Sequence, residues 1–461
     1  MEVRKRLDWL VRDKAFYRRL AALALPIAGQ NVLSFLVGLG DNAMVGGLGE
    51  AELSGVYVVN QIQNVLGMLM IGLGAAVVII AAQYYGKGDV KSVKTVSMTA
   101  MRFAIGAGLI VTAGMALFGR QILGLLTTDQ AAIEQGMRYL RWAVWTYMMF
   151  CISGVLGATL RCAGIVRITA LISSVTAILD LLLNYVMIYG KLGLPAMGVA
   201  GASASTVITR ALELAALVTY LFRIDRKLQF KLRDLTLRSR RLTRDFFVYG
   251  GPVILGDIFW GIGGTAQAAI IGRLGNAVMS ASSAALALFQ VFAVFVYGAS
   301  SAGSLIVGQE IGKDHFDLAK KYTRTLQLVY PMIGVASSLL VLLLFRPALL
   351  LYPGLEPETL QYIRQFMYVL AVMIIGTSYQ MSTLQIVRAG GATHFVLFND
   401  LIFVWLVVIP LSSLMAFHWG GAPWMVFACL KCDQWLKCAV AAVKVNRFRW
   451  MKNLTRRSAA A

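Results

Sequence analysis

From residue 20 onward the chain alternates between long apolar runs and short polar breaks. The runs carry no soluble-helix stripe and no strict alternation; they are apolar on every side, as segments facing lipid or a bundle interior are. Reading breaks at charges, Gly and Pro predicts twelve spans, at 20–43, 53–82, 97–119, 138–160, 166–189, 197–222, 246–271, 281–309, 325–346, 362–386, 394–416 and 422–445. All reach the ~20 residues that a bilayer-crossing helix needs. Lipid offers backbone groups no partner, so the spans must be helices; the short alternating segments of a barrel are missing. The expected class is an all-α integral membrane protein.

Composition strengthens this reading. Of 461 residues, 58% are hydrophobic and 14% charged, with a mean hydropathy of +0.71. The net charge of +21 would suit nucleic acid if it formed one patch. Instead the Lys and Arg excess falls on alternate loops: seven in 1–19, nine in 223–245, none between the first two spans. By the positive-inside rule both termini lie in the cytoplasm. Residues 1–19 read as a basic interfacial segment with no cleavable leader, 223–245 as a linker, and 446–461 as a basic cytoplasmic tail. Expected partners are therefore the bilayer and small solutes, not nucleic acid.

Other chemistries find little support. The C-x-x-C of Cys429 and Cys432 lies in an apolar segment without clustered histidines, so small packing residues explain it better than redox or metal chemistry. His315, His394 and His418 are scattered, and no G-x-x-x-x-G-K-[ST] loop is present. Neither an ATP-driven pump nor a zinc or His-based enzyme is expected.

The two halves repeat. A shift of 226 puts Pro26 on Pro252, Gly46, Leu48 and Gly49 on Gly272, Leu274 and Gly275, and "QYYGK" (83–87) on "QEIGK" (309–313). A shift of 227 puts "RCAG" (161–164) on "RAGG" (388–391), and Arg210 on Lys437. Such repeats are typical of secondary transporters. With six spans each, both halves start on the same side.

In order along the chain, "ALALPIAGQNVLSFLVGLGDNAMVGGLG", "QYYGKGD", "LRCAG", "LNYVMIYGKLGLPAMGVAGASAST" and "VRAGGATHFVLFNDLIFVWLVVIPL" resemble the multidrug and toxic compound extrusion (MATE) family. The resemblance implies two homologous six-helix lobes, 20–222 and 246–445, in a V. It further implies cation-coupled antiport, driven by Na⁺ or H⁺, that exports organic, cationic amphipathic compounds. No cofactor beyond the coupling ion is expected, and the protein should be a monomer in the plasma membrane of a prokaryote. A flippase for lipid-linked saccharides, of related fold, is the alternative.

Ionisable groups at bilayer depth cost about 2.5–3.5 kcal/mol on insertion scales, so each needs a reason. Asp180 and Asn184 are four apart in the fifth span and share a helix face. The resemblance places the family's cation-binding aspartate on Asp41 and a hydroxyl of the same site on Thr206. The family's usual order, Asn before Asp, is reversed here in Asp180 and Asn184. Two carboxylates, an amide and a hydroxyl suit Na⁺ or a proton. The second half offers Asp257, Asn399 and Asp400 as possible ion or substrate groups; Trp260 stands where some relatives carry an acid, and Thr377 near the position of another. Arg210 with Glu213, and Asp433 with Lys437, are spaced for intrahelical ion pairs. Tyr57, Met68, Tyr147, Met148, Trp260, Phe289 and Phe292 are candidates for lining a drug cavity, because flat aromatic and flexible Met surfaces suit varied cations.

Overall fold

The computed structural model describes residues 10–193, 195–349 and 356–455. Part of the expected interfacial segment (1–9) and of the basic tail (456–461) lies outside the described residues. The rest is helical, with no strand among the described residues. In the first half the helices are α1 (Lys14–Gly46), α2 (Glu50–Lys87), α3 (Val90–Leu126), α4 (Gln130–Cys162), α5 (Val166–Tyr189) and α6 (Val199–Thr219). In the second they are α7 (Arg240–Gly272), α8 (Asn276–Gly312), α9 (Phe316–Ala348), α10 (Pro357–Ala389), α11 (Thr393–Phe417) and α12 (Pro423–Lys431, continued by Asp433–Asn446).

Ten of these helices are long and apolar enough to cross a membrane. The other two expected spans are α6, which carries Arg210 and Glu213, and α12, which divides at Cys432 into pieces of 9 and 14 residues. Most helices overrun the predicted spans. At 38 residues, α2 is about 57 Å long at 1.5 Å per residue. That exceeds a hydrocarbon core of about 30 Å, so its ends stand in the headgroup region. In α11, Ile402–Val408 widens into a π-helical turn just ahead of Pro410, which has no N–H to return to the preceding turn.

The helices pack as two compact units. One comprises residues 10–28, Ala82–Asp89 and 249–455; the other comprises Gly29–Ala81 and Val90–Val248. Pro26 lies two residues before α1 passes from one unit to the other, and Pro252, its repeat partner, lies a few residues after α7 does so.

Close backbone approach organises each unit, as expected where lipid gives no hydrophobic drive between helices. In the Gly29–Ala81/Val90–Val248 unit, a Cβ on Gly55 of α2 would stand 2.5 Å from the Ala132 carbonyl and 2.6 Å from the Gly136 nitrogen of α4. The linker is ordered against α3: Lys94 donates to Asp234 at 2.7 Å and to the Gln229 carbonyl at 2.7 Å, and Arg102 to the Leu237 carbonyl at 2.6 Å. Burial opposes the charge of Asp234, but hydrogen bonds from Lys94 and the Lys231 N–H prevail and hold its carboxyl below the ordinary range.

In the other unit a core of α7 to α12 side chains centres on Phe366 and Phe427, stacked 4.2 Å apart. At one end of this unit, α2 crosses α8 through the repeated motif itself. A Cβ on Gly86 would lie 2.0 Å from the Gln309 carbonyl oxygen, and one on Gly312 would lie 1.9 Å from that of Gln83. The tail closes over the same end. Gln83 donates to the Ala389 carbonyl at 2.7 Å and accepts from the Leu454 N–H at 2.7 Å, Lys452 N–H donates to the Gly390 carbonyl at 2.9 Å, and Asn453 donates to Asp314 at 2.6 Å.

Candidate functional site

In the first half the α5–α6 hairpin sets the register. Gly190 ends α5 in the left-handed region at φ 67°, and the chain returns so that the Met197 N–H reaches the Met187 carbonyl at 3.0 Å. A Cβ on Gly201 would stand 2.5 Å from that same carbonyl. The tight crossing brings Asn184, about one turn before it on α5, opposite Ser205, one turn after it on α6. Helix α1 meets α5 where Gly40 faces Leu181, which places Asp41 beside them.

A polar chain results. Asn184, only 2% exposed, donates to Asp41 at 2.7 Å, while Ser205 donates to the Asn184 side-chain oxygen. Thr209 donates to Asp180 at 2.9 Å. Beyond it, Arg210 pairs with Glu213 at 2.8 Å and lies 5.4 Å from the Phe150 ring, and Ser173 donates to Glu213 at 2.8 Å. Asp41, Asp180 and Asn184 thus come together in one unit. Thr206 donates to the Ala202 carbonyl at 3.0 Å.

Ser205 and Thr209 escaped sequence reading. Helical hydroxyls commonly bond back to their own turn, as both do here to Ala202 and Ser205, so nothing marks them as site residues. The usable signal was their period: Ser205 and Thr209 are four apart, matching Asp180 and Asn184 on the facing helix.

The second half holds a longer ionic chain. Arg388 reaches Asp257 at 3.4 Å and Asp400 at 3.3 Å; Lys437 reaches Asp400 at 3.0 Å and Asp433 at 3.0 Å. Gln434 donates to Asp433 at 3.0 Å, and Gln380 to Gln434 at 2.8 Å. Thr377 stays out of it, donating to the Met373 carbonyl at 2.9 Å. Asn399 is buried, and its amide nitrogen has no hydrogen-bond partner among the described residues. Shifted by 227, Ser173, Thr206 and Arg210 fall on Asp400, Asp433 and Lys437. Two of these positions, Ser173 and Arg210, join the polar chain of the first repeat through Glu213, and all three join the more ionised chain of the second.

The cavity candidates divide between the two units. Tyr57, Met68, Tyr147 and Met148 belong to one unit and Trp260, Phe289 and Phe292 to the other. Tyr57 and Trp260 are 63% and 65% exposed, whereas Tyr147 and Phe292 are buried in packing. Cys429 and Cys432 are free thiols on α12, and no group of three metal-ligating side chains occurs among the described residues.

Comparison with known proteins agrees with the repeat. The sequence pattern of the MatE family matches residues 26–186 and 252–414, starting at Pro26 and at Pro252. A "Probable multidrug resistance protein NorM" of Thermotoga maritima is 32% identical over 217 residues, 47% of this chain and 46% of that protein. The "Uncharacterized transporter YisQ" of Bacillus subtilis is 22% identical across 92% of each chain. The "Multidrug resistance protein MdtK" of Edwardsiella ictaluri is 23% identical across 87% of each. Among solved structures, "Crystal structure of MATE in the straight conformation" superposes with a TM-score of 0.84 at 18% identity, over 94% of this chain and 96% of that one. The "bent conformation" matches equally, at 0.84. Matched over well over half its length and in both repeats, this chain belongs to the MatE family of multi-pass membrane transporters.

Proposed function

We propose that this chain is a cation-coupled antiporter that exports organic cations, with Asp41 as the centre of its coupling-ion site. The observation that carries the reading is the hydrogen bond from the buried Asn184 to Asp41. It ties α1 to α5, and through Ser205 to α6, so occupancy at one carboxylate reaches three helices. Among the described residues the polar chain holds three carboxylates, Asp41, Asp180 and Glu213, and one cation, Arg210, which pairs with Glu213; negative charge is in excess. A sodium ion among these oxygens, or a proton on a carboxylate, relieves that excess.

Antiport follows from the same requirement. A loaded, neutralised site favours one packing of the helices and an empty, charged site favours another, so ion entry is linked to cargo release. A half-turn of the Asn184 amide would present its oxygen to a cation at Asp41. The Ser205 hydroxyl could then donate to the Ala202 carbonyl, already 2.8 Å away, and accept from the turned amide.

The reading places both termini in the cytoplasm and the protein in the plasma membrane as a monomer. It is supported by the way the loops assigned to that side, 83–89, 313–315 and 389–392, meet the C-terminal tail at one end of their unit. The test uses right-side-out vesicles that carry wild type or Asp41→Asn and are loaded with a fluorescent organic cation, whose efflux is driven by an imposed inward Na⁺ or H⁺ gradient. Wild type should respond to one gradient and the variant to neither. Equal, gradient-independent efflux by both would sink the assignment.

A further inference from the structure

We propose that the groove between the first turns of α9 and the end of α12 binds the phosphate of an anionic phospholipid. The groove encloses about 390 Å³ and is lined by Arg324, Gln327, Leu328 and Asn446. Arg324 is exposed, and among the described residues it has no carboxylate partner. Its guanidinium lies 5.2 Å from the centre of the Phe448 ring. Stacking on a ring fixes the guanidinium plane and leaves its N–H edge free, which suits a phosphate.

The ring is held there by unusual backbone. Phe448 has φ 53°, a left-handed conformation that side-chain-bearing residues avoid. The turn is locked by Trp450, which is buried and donates from its indole to the Val445 carbonyl at 2.8 Å. Tyr379 donates to the Gln327 oxygen at 3.0 Å, and Asn446 shares the same amide. Gln327 donates one amide N–H to the Asn446 oxygen at 3.3 Å, and with its own oxygen occupied its second N–H is the remaining chemistry at the groove. Lys321, Arg447 and Arg449, within a few residues of the lining in sequence, are exposed and likewise lack carboxylate partners among the described residues.

Two observations select a lipid over a free phosphate. First, the lining residues Arg324, Gln327 and Leu328 stand where the expected ninth span, 325–346, begins. The Val11 N–H donates to the Thr325 hydroxyl at 3.0 Å, and Phe16 stacks on Tyr322 at 4.5 Å. Second, an exposed apolar stripe leads away from the groove along α9: Leu328 (46% exposed), then Met332, Val335, Leu339 and Leu343 at helical spacing. A headgroup phosphate at Arg324 places an acyl chain along that stripe. Basic pockets between membrane helices recognise anionic headgroups in this way.

The test measures the thermal midpoint and lipid adducts of the full-length protein in neutral detergent. The probes are dioleoyl phosphatidylglycerol, dioleoyl phosphatidylcholine and inorganic phosphate. We expect phosphatidylglycerol to raise the midpoint and persist as an adduct, with little effect from the other two. Arg324→Gln should weaken its apparent affinity roughly tenfold, as the loss of one charge-assisted contact would. Phe448→Leu, which keeps the charge but not the ring, should weaken it less. Arg120→Gln, on α3, should change nothing. The proposal fails if Arg324→Gln takes phosphatidylglycerol as wild type does, or if inorganic phosphate stabilises equally well. Because Arg324 is remote in sequence and contact from Asp41, gradient-driven efflux in phosphatidylcholine vesicles reports on the transport reading independently.

Discussion

Substituting Gly86 or Gly312 tests the crossing of the two repeats at its tightest point. A Cβ on Gly86 would meet the Gln309 carbonyl oxygen at 2.0 Å and its carbonyl carbon at 2.8 Å; one on Gly312 would meet the Gln83 oxygen at 1.9 Å and the carbon at 2.6 Å. All are main-chain atoms, so no rotamer change relieves the clash. Ordinary C···O contacts lie near 3.3 Å or beyond, so α2 and α8 must part by more than about 1 Å. Overpacking in a filled interior costs about 1–3 kcal/mol, and with rigid backbone on both sides we expect about 3 kcal/mol for either alanine. Parting the helices once relieves both clashes, so the double variant should cost little more than one single. Gly106→Ala, where a Cβ meets nothing within 4 Å, is the control and should be neutral or stabilising. Membrane abundance and detergent melting midpoints of the four proteins decide the matter. Singles that match the control, or a double whose loss is the sum of the singles, would refute the reciprocal crossing.

Three further outcomes are expected. Asn184→Leu keeps the volume but removes the amide donor from Asp41; ion dependence of efflux should fall about tenfold or more, and unchanged dependence would count against the site. Lys437→Met strands Asp433 and leaves Asp400 with Arg388 alone, and should cost about 3–5 kcal/mol. Adding Asp433→Leu should recover part of that loss in the melting midpoint, and no recovery would argue against the ionic chain. Because Asp234 titrates below the ordinary range, its hold on the linker is complete above the unfolded value of about 3.9 and is lost as pH falls through the lower folded value. Hydrogen exchange over residues 225–239 should therefore rise only below about pH 4, and Lys94→Met should raise it at neutral pH.

The architecture was legible in the sequence because apolar runs report bilayer crossing directly. Their ends were not: α1 was expected over 20–43 and runs from Lys14 to Gly46. Hydropathy stops where hydrocarbon stops, whereas helical hydrogen bonding continues into the headgroups. Asp41, Asp180 and Asn184 stood out because charge and amide at bilayer depth need a reason. Ser205 and Thr209 did not, because a hydroxyl satisfied by its own helix carries no such penalty. In the second half, the Asp433–Lys437 pair was visible from its i,i+4 spacing, but its extension through Asp400 and Arg388 to Asp257 joins four helices. No local spacing announces that. Only the 227-residue shift, which lays Ser173 and Thr206 on Asp400 and Asp433, carried the hint.

That shift also bears on where the coupling ion should act. In the second repeat each acid of the chain has a basic partner: Arg388 for Asp257, Arg388 and Lys437 for Asp400, Lys437 for Asp433. Such a chain is already compensated, and breaking it to admit an ion would strand a charge. In the first repeat Arg210 is engaged by Glu213, and Asp41 and Asp180 receive hydrogen bonds from neutral groups, Asn184 and Thr209. Neutral donors orient a carboxylate without cancelling its charge. A mobile cation or proton therefore gains more by arriving there and disturbs less by leaving. Charge pairing therefore sets the compensated chain of the second half apart from the uncompensated one of the first, and the coupling site we propose is the one around Asp41.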